Sequence, residues 1–205
     1  MSALQLKRIL ELGSYQTALF LSHRIRHALQ ESGDAPKLSG IVEADECFIS
    51  TGTNAPEAKQ PHKLMTVVAM VERGGRARTK AMATVSGGNL KQAIRDHVAA
   101  NSELHTDSRG YKDLQLEYYH FTVKHRGGEF SRREGNHLIT TASAESYFSL
   151  LKRGVIGTFH HVSAQHLPLY LAEFEHRHNC RKMTDGVRTD LGLQKTVGKR
   201  LIYKK

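Results

Sequence analysis

Cysteine is scarce: Cys47 and Cys180 are the only two in 205 residues. Neither belongs to a CxxC pair, so the sequence suggests neither a structural zinc site nor a disulfide framework. Long apolar runs are missing as well. The longest, residues 67–71, is strand-sized and far short of a membrane span. Segment 1–12 interrupts its apolar pattern with Lys7, Arg8 and Glu11, unlike a secretory signal. Internal repeats and low-complexity stretches are absent. The expectation is a protein of the reduced cytoplasm with no membrane partner.

Acidic residues are in deficit, 20 Asp and Glu against 30 Lys and Arg, for a net charge of +10. The imbalance is greatest at the C-terminal end. From residue 177 to 205, nine Lys or Arg face only Asp185 and Asp190, a local +7. Such a segment is suited to neutralising phosphates with release of condensed counterions, which makes nucleic acid the leading partner. A merely solvated charged tail has the same composition. With 39% hydrophobic and 24% charged residues, the rest fits a globular domain of ordinary size.

Leu4, Leu6, Ile9, Leu10 and Leu12 are spaced for a helix ending at Gly13. A second helical pattern covers about 16–29, with Ala18, Leu19, Leu21, Ile25, Ala28 and Leu29 as its apolar stripe and Arg24, Arg26 and His27 outside it. A basic second helix after a glycine-containing turn fits a helix-turn-helix, and equally any helical hairpin. Residues 31–39, with Gly33, Asp34 and Pro36, read as a linker. Strands are predicted over 41–49, 63–72 and 77–85, with a hairpin at Gly74-Gly75. Asn89 can cap a helix carrying Leu90, Ala93, Ile94 and Val98. A short strand at 104–106, a helix around 111–116 and a strand at 120–124 come next. Ser143 is placed to cap a helix running to Arg153 and closed by Gly154. A last helix spans 164–179, with Pro168 near its first turn. The pattern divides the chain into a helical segment (1–33), an α/β domain (38–180) and a basic C-terminal tail (181–205). The order of elements in the middle segment is that of an α/β RNase-H-like fold, a central mixed sheet of about five strands flanked by helices.

Asp45 lies inside the first strand, where an acid among apolar neighbours is costly without a partner. Asp107 ends the fourth strand, which that fold places beside the first. Glu145 opens the helix that would complete the group. Three carboxylates suit two Mg²⁺ ions, with Mn²⁺ as a substitute, since hard cations take oxygen ligands and keep substrate phosphate in their shell. Two ions ~4 Å apart serve an in-line phosphodiester displacement. Other roles remain open: Asp107 could cap a turn, and Glu145 could answer the helix dipole. Lys152, two turns beyond Glu145, shares its helix face and could contact phosphate, or serve the dipole at the helix end. Glu129 and Glu134, the rival third acids, fall in a Gly/Arg-rich loop. His160, His161, His166, His176 and His178 form no pattern such as HExxH, and phosphate or packing contacts fit them better than metal ligation.

These residues resemble a known family. Val42-Glu43-Ala44-Asp45-Glu46, Thr106-Asp107 with Tyr111, the run Ala144-Glu145-Ser146-Tyr147-Phe148-Ser149-Leu150-Leu151-Lys152-Arg153-Gly154, and His160-His161-Val162-Ser163 with His166-Leu167 look like a bacterial insertion-sequence transposase with a DDE-type RNase-H-like catalytic domain. Glu173-Phe174, Arg177, Asn179, Arg181 and Gly198-Lys199-Arg200-Leu201 with Tyr203 extend the likeness. Leu12-Gly13, Thr17-Ala18 and His23-Arg24-Ile25-Arg26 resemble the end of the family's helix-turn-helix. The resemblance implies that Asp45, Asp107 and Glu145 are metal ligands and Lys152 the accompanying basic residue. It implies nicking at transposon ends, transfer of the freed 3′ hydroxyl to target DNA, and a homo-oligomer working on paired DNA ends.

The family normally carries an N-terminal zinc ribbon ahead of its helix-turn-helix. The chain is therefore read as N-terminally shortened, with weak recognition of terminal repeats expected. Ser50-Thr51 stand where the family usually has Gly-Gly, and Thr140-Thr141-Ala142-Ser143 where it usually reads His-Thr-Asn-Thr. There are two rival readings: a nuclease of the same fold without strand transfer, and a decayed, non-catalytic DNA-binding protein. An intact acidic triad favours either enzyme over the binder, and the missing zinc ribbon favours the binder.

Overall fold

The apolar stretch of residues 67–71 lies in the second strand of a five-stranded sheet, and it lacks alternation because both faces are covered. Val67, Val68, Ala69 and Met70 have no exposed surface at all. The computed structural model describes residues 1–31, 33, 35–51, 63–107, 111 and 113–201. Helices α1 (Ala3–Ile9) and α2 (Tyr15–Leu29) lead into β1 (Ile41–Thr51), β2 (Lys63–Glu72) and β3 (Ala77–Met82). Helix α3 (Gly87–His97), β4 (Glu103–Asp107) and β5 (Tyr119–Val123) come after them. The strand order is β3-β2-β1-β4-β5. β1 is antiparallel to β2 and parallel to β4, and β4 is parallel to β5. This is an α/β sheet of RNase-H-like topology.

Two apolar layers sandwich the sheet. On one face, Leu90 and Ile94 of α3 pack on Val42, Ala44, Val68 and Met70. On the other, α4 (Ala142–Gly154) and α5 (Leu167–Asn179) press Tyr147, Leu151, Leu167 and Leu171 onto Cys47, Ile49 and Val67. No described helix is long and apolar enough to cross a membrane.

Several local expectations are corrected. The strand expected to 85 stops at Met82, and Ser86 rather than Asn89 caps α3: its hydroxyl accepts from Asn89 N–H, so Gly87 and Gly88 form the first turn of the helix. Of the helix expected near 111–116, only a 3-10 turn at Leu114–Leu116 forms among the described residues. The Gly/Arg-rich segment contains an unforeseen hairpin, β6 (Ser131–Glu134) with β7 (His137–Thr140). Its strands are four residues each and mostly polar, so no periodicity announced them. The segment after residue 180 also holds a helix, α6 (Asp185–Gln194), capped by Thr184. Asp34 and Tyr203 lie outside the described residues.

Arg26 does not lie on the outer face of α2. It is 4% exposed, its Nε donates to Glu173 of α5 at 2.8 Å, and its guanidinium lies 4.0 Å from the Tyr170 ring centroid. Ile25, assigned to the apolar stripe, is exposed. An ion pair and an aromatic face let the helix bury arginine in place of isoleucine.

Gly154 does not close α4; its backbone is helical and the chain runs on into a π-turn, Val155–Phe159. A Cβ at this position would run into the Phe174 ring, with Cε1 at 2.6 Å. Glycine is there to let α5 approach.

Candidate carboxylate site

Because β1 and β4 are parallel and paired at Ala44–Thr106, the next residue on each strand, Asp45 and Asp107, falls side by side. Alternation turns both toward the face covered by α4. Exposure rises along this edge of the sheet. Glu43 is fully buried, Asp45 and Asp107 are half-buried, and Glu145 in the first turn of α4 is exposed. The group therefore opens to solvent where the parallel strands end.

Burial raises the Asp45 carboxyl above the usual range. The charges of Asp107 and Glu145 raise it further, while its bond from Glu46 N–H, at 2.9 Å, and the His125 ring lower it. All three acids thus act on one point. Lys152 is exposed on α4, and its charge opposes that of Asp45 at Cys47, whose thiol burial pushes up to about 12. Lysine and aspartate so flank the same strand position.

His125, just past β5, escaped the sequence reading. Its Nε2 lies 3.5 Å from Glu145 Oε1 and 3.1 Å from Thr141 Oγ1, while Thr141 Oγ1 donates to Glu145 Oε1 at 3.3 Å. Phe130 stacks on the ring, with centroids 5.9 Å apart. The signal that could have found it is topological: β1, β4 and β5 are parallel, so their C-terminal ends share one edge.

Beneath the acids runs a buried polar layer. Glu43 Oε1 accepts from Arg73 Nε at 2.9 Å, and Arg73 also donates to Leu138 O on β7 at 2.9 Å. His105 Nδ1 faces Thr140 N–H at 3.3 Å and Arg73 Nη2 at 3.2 Å. The Thr140 carbonyl oxygen also lies 3.2 Å from Nδ1, and Nε2 lies 2.8 Å from Glu103 Oε1. The other acids considered are engaged elsewhere. Glu129 and Glu134 pair with Arg132 at 3.0 and 2.7 Å.

Among the described residues, no three His, Cys, Asp or Glu form a ready metal cage. The chemistry of the donor set still fits Mg²⁺, which is held by one or two carboxylates together with substrate phosphate rather than by an all-protein shell. Like charges converging on Asp45 are what such a cation would neutralise.

Comparison with known proteins gives one family. Neither the curated proteins nor the solved structures yield a match. The family model of the ISXO2-like transposase domain matches residues 37–179, a span that contains the whole sheet, α3 to α5 and all four candidate residues. The chain belongs to the ISXO2-like transposase family.

Proposed function

We propose that the chain cuts DNA at transposon ends and joins the freed 3′ hydroxyl to target DNA, with Asp45, Asp107 and Glu145 as ligands of Mg²⁺ or Mn²⁺. The observation that carries this reading is the parallel pairing that sets Asp45 beside Asp107, under the helix that carries Glu145. Bound there, two such ions would activate the attacking oxygen and stabilise the leaving one. The chain's own residues do the positioning. His125 and Thr141 hold the Glu145 carboxylate toward the sheet. Lys152 offers a cation to a phosphate beside the acids, and Tyr111 fixes Glu46 next to Asp45 through its hydroxyl at 2.7 Å. Orientation and charge neutralisation are most of what phosphoryl transfer requires of a protein.

The test is incubation with Mg²⁺ and labelled ends of the cognate element, followed by separation of nicked and joined strands. Nicks and joints that both vanish in Asp45→Ala support the proposal. Nicks without joints would leave a nuclease, and DNA binding without either product a non-catalytic binder.

A further inference from the structure

A helix leaves its first N–H groups without intrahelical partners, and a side chain at the cap position usually takes one. Helix α4 departs from this. Thr141 occupies the cap position but makes no capping hydrogen bond; its hydroxyl is turned to the Glu145 carboxylate and His125. Two of the helix N–H groups are answered by other residues, one just before the helix and one from the sheet. Ala142 N–H donates to Thr140 Oγ1 at 3.2 Å, and Ser143 N–H donates to Glu43 Oε2 at 2.6 Å. Glu43 stands in β1, a hundred residues away in sequence and two before Asp45, so both side chains leave the same face of the strand.

A fully buried carboxylate is expensive, and Glu43 is stabilised by Arg73 on one oxygen and by the start of α4 on the other. Arg73 comes directly after β2 and reaches His105 of β4 and the Leu138 carbonyl of β7. One ionic unit therefore joins β1, β4, β7 and α4. We propose that Glu43 is a positioning residue: it substitutes for the missing local cap, fixes the first turn of α4 against β1, and so sets where Glu145 stands relative to Asp45 and Asp107. The negative charge at the helix start adds a favourable dipole interaction. Thr141 is thereby freed to serve Glu145. The inference rests on the proposed function only in its consequence for metal, not in its geometry.

Two measurements separate those parts. Hydrogen exchange of the backbone amides tests the anchor with no metal present. In Glu43→Gln, an amide NH₂ competes for the place of the acceptor, and exchange at Ser143, Ala144 and Glu145 should rise about tenfold or more, with α3 unchanged. Unchanged protection at Ser143, or an equal rise throughout the chain, overturns the proposal. If Glu43→Gln does not fold, Glu43→Asp keeps the charge but withdraws it by one methylene, and the same local loss is expected. The second measurement is Mn²⁺ affinity by paramagnetic resonance. Glu43→Gln should weaken it about 10–100-fold, and the effect should disappear in a Glu145→Ala background, because Glu43 acts through Glu145. An additive effect overturns the positioning role. Should the parent chain not bind Mn²⁺, the metal reading fails, and the exchange result alone decides on Glu43.

Discussion

Asp45 and Asp107 occupy neighbouring positions on parallel strands, one residue beyond the Ala44–Thr106 pair, and the charge of Asp107 adds to the rise that burial gives the Asp45 carboxyl. The arrangement stores repulsion that a bound divalent cation would relieve. Asp45→Ala with Asp107→Ala should abolish Mn²⁺ binding and strand cleavage. The apolar layers do not include either side chain, so thermal stability should hold or rise. Calorimetry showing parental Mn²⁺ binding in the double variant would sink the assignment.

Lys152 should act on DNA and not on metal. It is exposed on α4, and Lys152→Ala is expected to raise KM for DNA or lower the rate of cleavage while Mn²⁺ affinity stays within about twofold of the parent. Steady-state cleavage matching the parent at every DNA concentration would reduce Lys152 to a helix-end charge.

β1, β2 and β3 are legible because they are bounded by glycine or contain an unbroken apolar run, while β4 and β5 show only short alternation around Leu104 and around Phe121 and Val123; the order of the five implies the topology. Asp45 is one of three acids in β1, with Glu43 and Glu46, and it is the family resemblance that singles it out as a ligand. What escaped depends on distant partners. Ser143 reads locally as a cap, yet the carboxylate that meets its N–H comes from β1. Arg26 reads as surface because its neutralising partner, Glu173, lies 147 residues away. Gly154 reads as a helix stop, yet what requires it is the Phe174 ring. His125 carries no local pattern at all; only strand order brings it to Glu145.

The Arg26–Glu173 pair should hold α2 on the α/β fold. Removing one partner of a buried pair costs about 3–5 kcal/mol. Arg177 also reaches Glu173, at 3.5 Å, so Arg26→Ala should fall near the lower end. Arg26→Met combined with Glu173→Leu should recover most of the loss, because the Tyr170 and Phe159 rings offer apolar contact. Urea unfolding of Arg26→Met, Glu173→Leu and the double variant checks this, and additive effects would show that the two residues do not act as a pair.

The basic C-terminal segment is less available to phosphate than its charge suggests. Lys195 pairs with Glu31 at 2.6 Å, and Lys199 donates to Ala28 O at 2.8 Å, so both fasten the C-terminal end of α6 to the end of α2. Arg200 is exposed. Lys199→Gln should therefore lower the melting temperature and leave the salt dependence of DNA affinity nearly unchanged. Arg200→Gln should do the reverse, reducing the slope of log affinity against log salt by about 0.9 for one lost phosphate contact. Slopes equal to the parent's in both variants would show that neither residue meets DNA, and a lowered slope in Lys199→Gln would show that Lys199 does.

Glu175 should give the fold a distinctive pH dependence. It sits in α5 against β3, where the Thr79 N–H donates to it at 2.7 Å and the Thr79 hydroxyl also donates. Burial raises its carboxyl from 4.5 to about 7; the Thr79 bonds and Arg78 oppose the rise, and Glu31 adds to it. Below about 4.5 the group is protonated in both folded and unfolded chains and contributes no pH dependence. Between 4.5 and 7 the unfolded chain has released the proton and the folded chain still holds it. Stability therefore falls as pH rises through this window, and above it the full cost remains. The shift corresponds to at most about 3 kcal/mol. Glu175→Gln keeps an acceptor for Thr79 but has no charge to bury. Its melting temperature should match the parent near pH 4.5 and exceed it at pH 8, by about 2–4 °C for each kcal/mol recovered. A difference that stays constant from pH 4.5 to 8 would mean that Glu175 does not titrate in the folded chain, and a parent advantage that grows toward pH 8 would mean that the ionised form is the stabilised one.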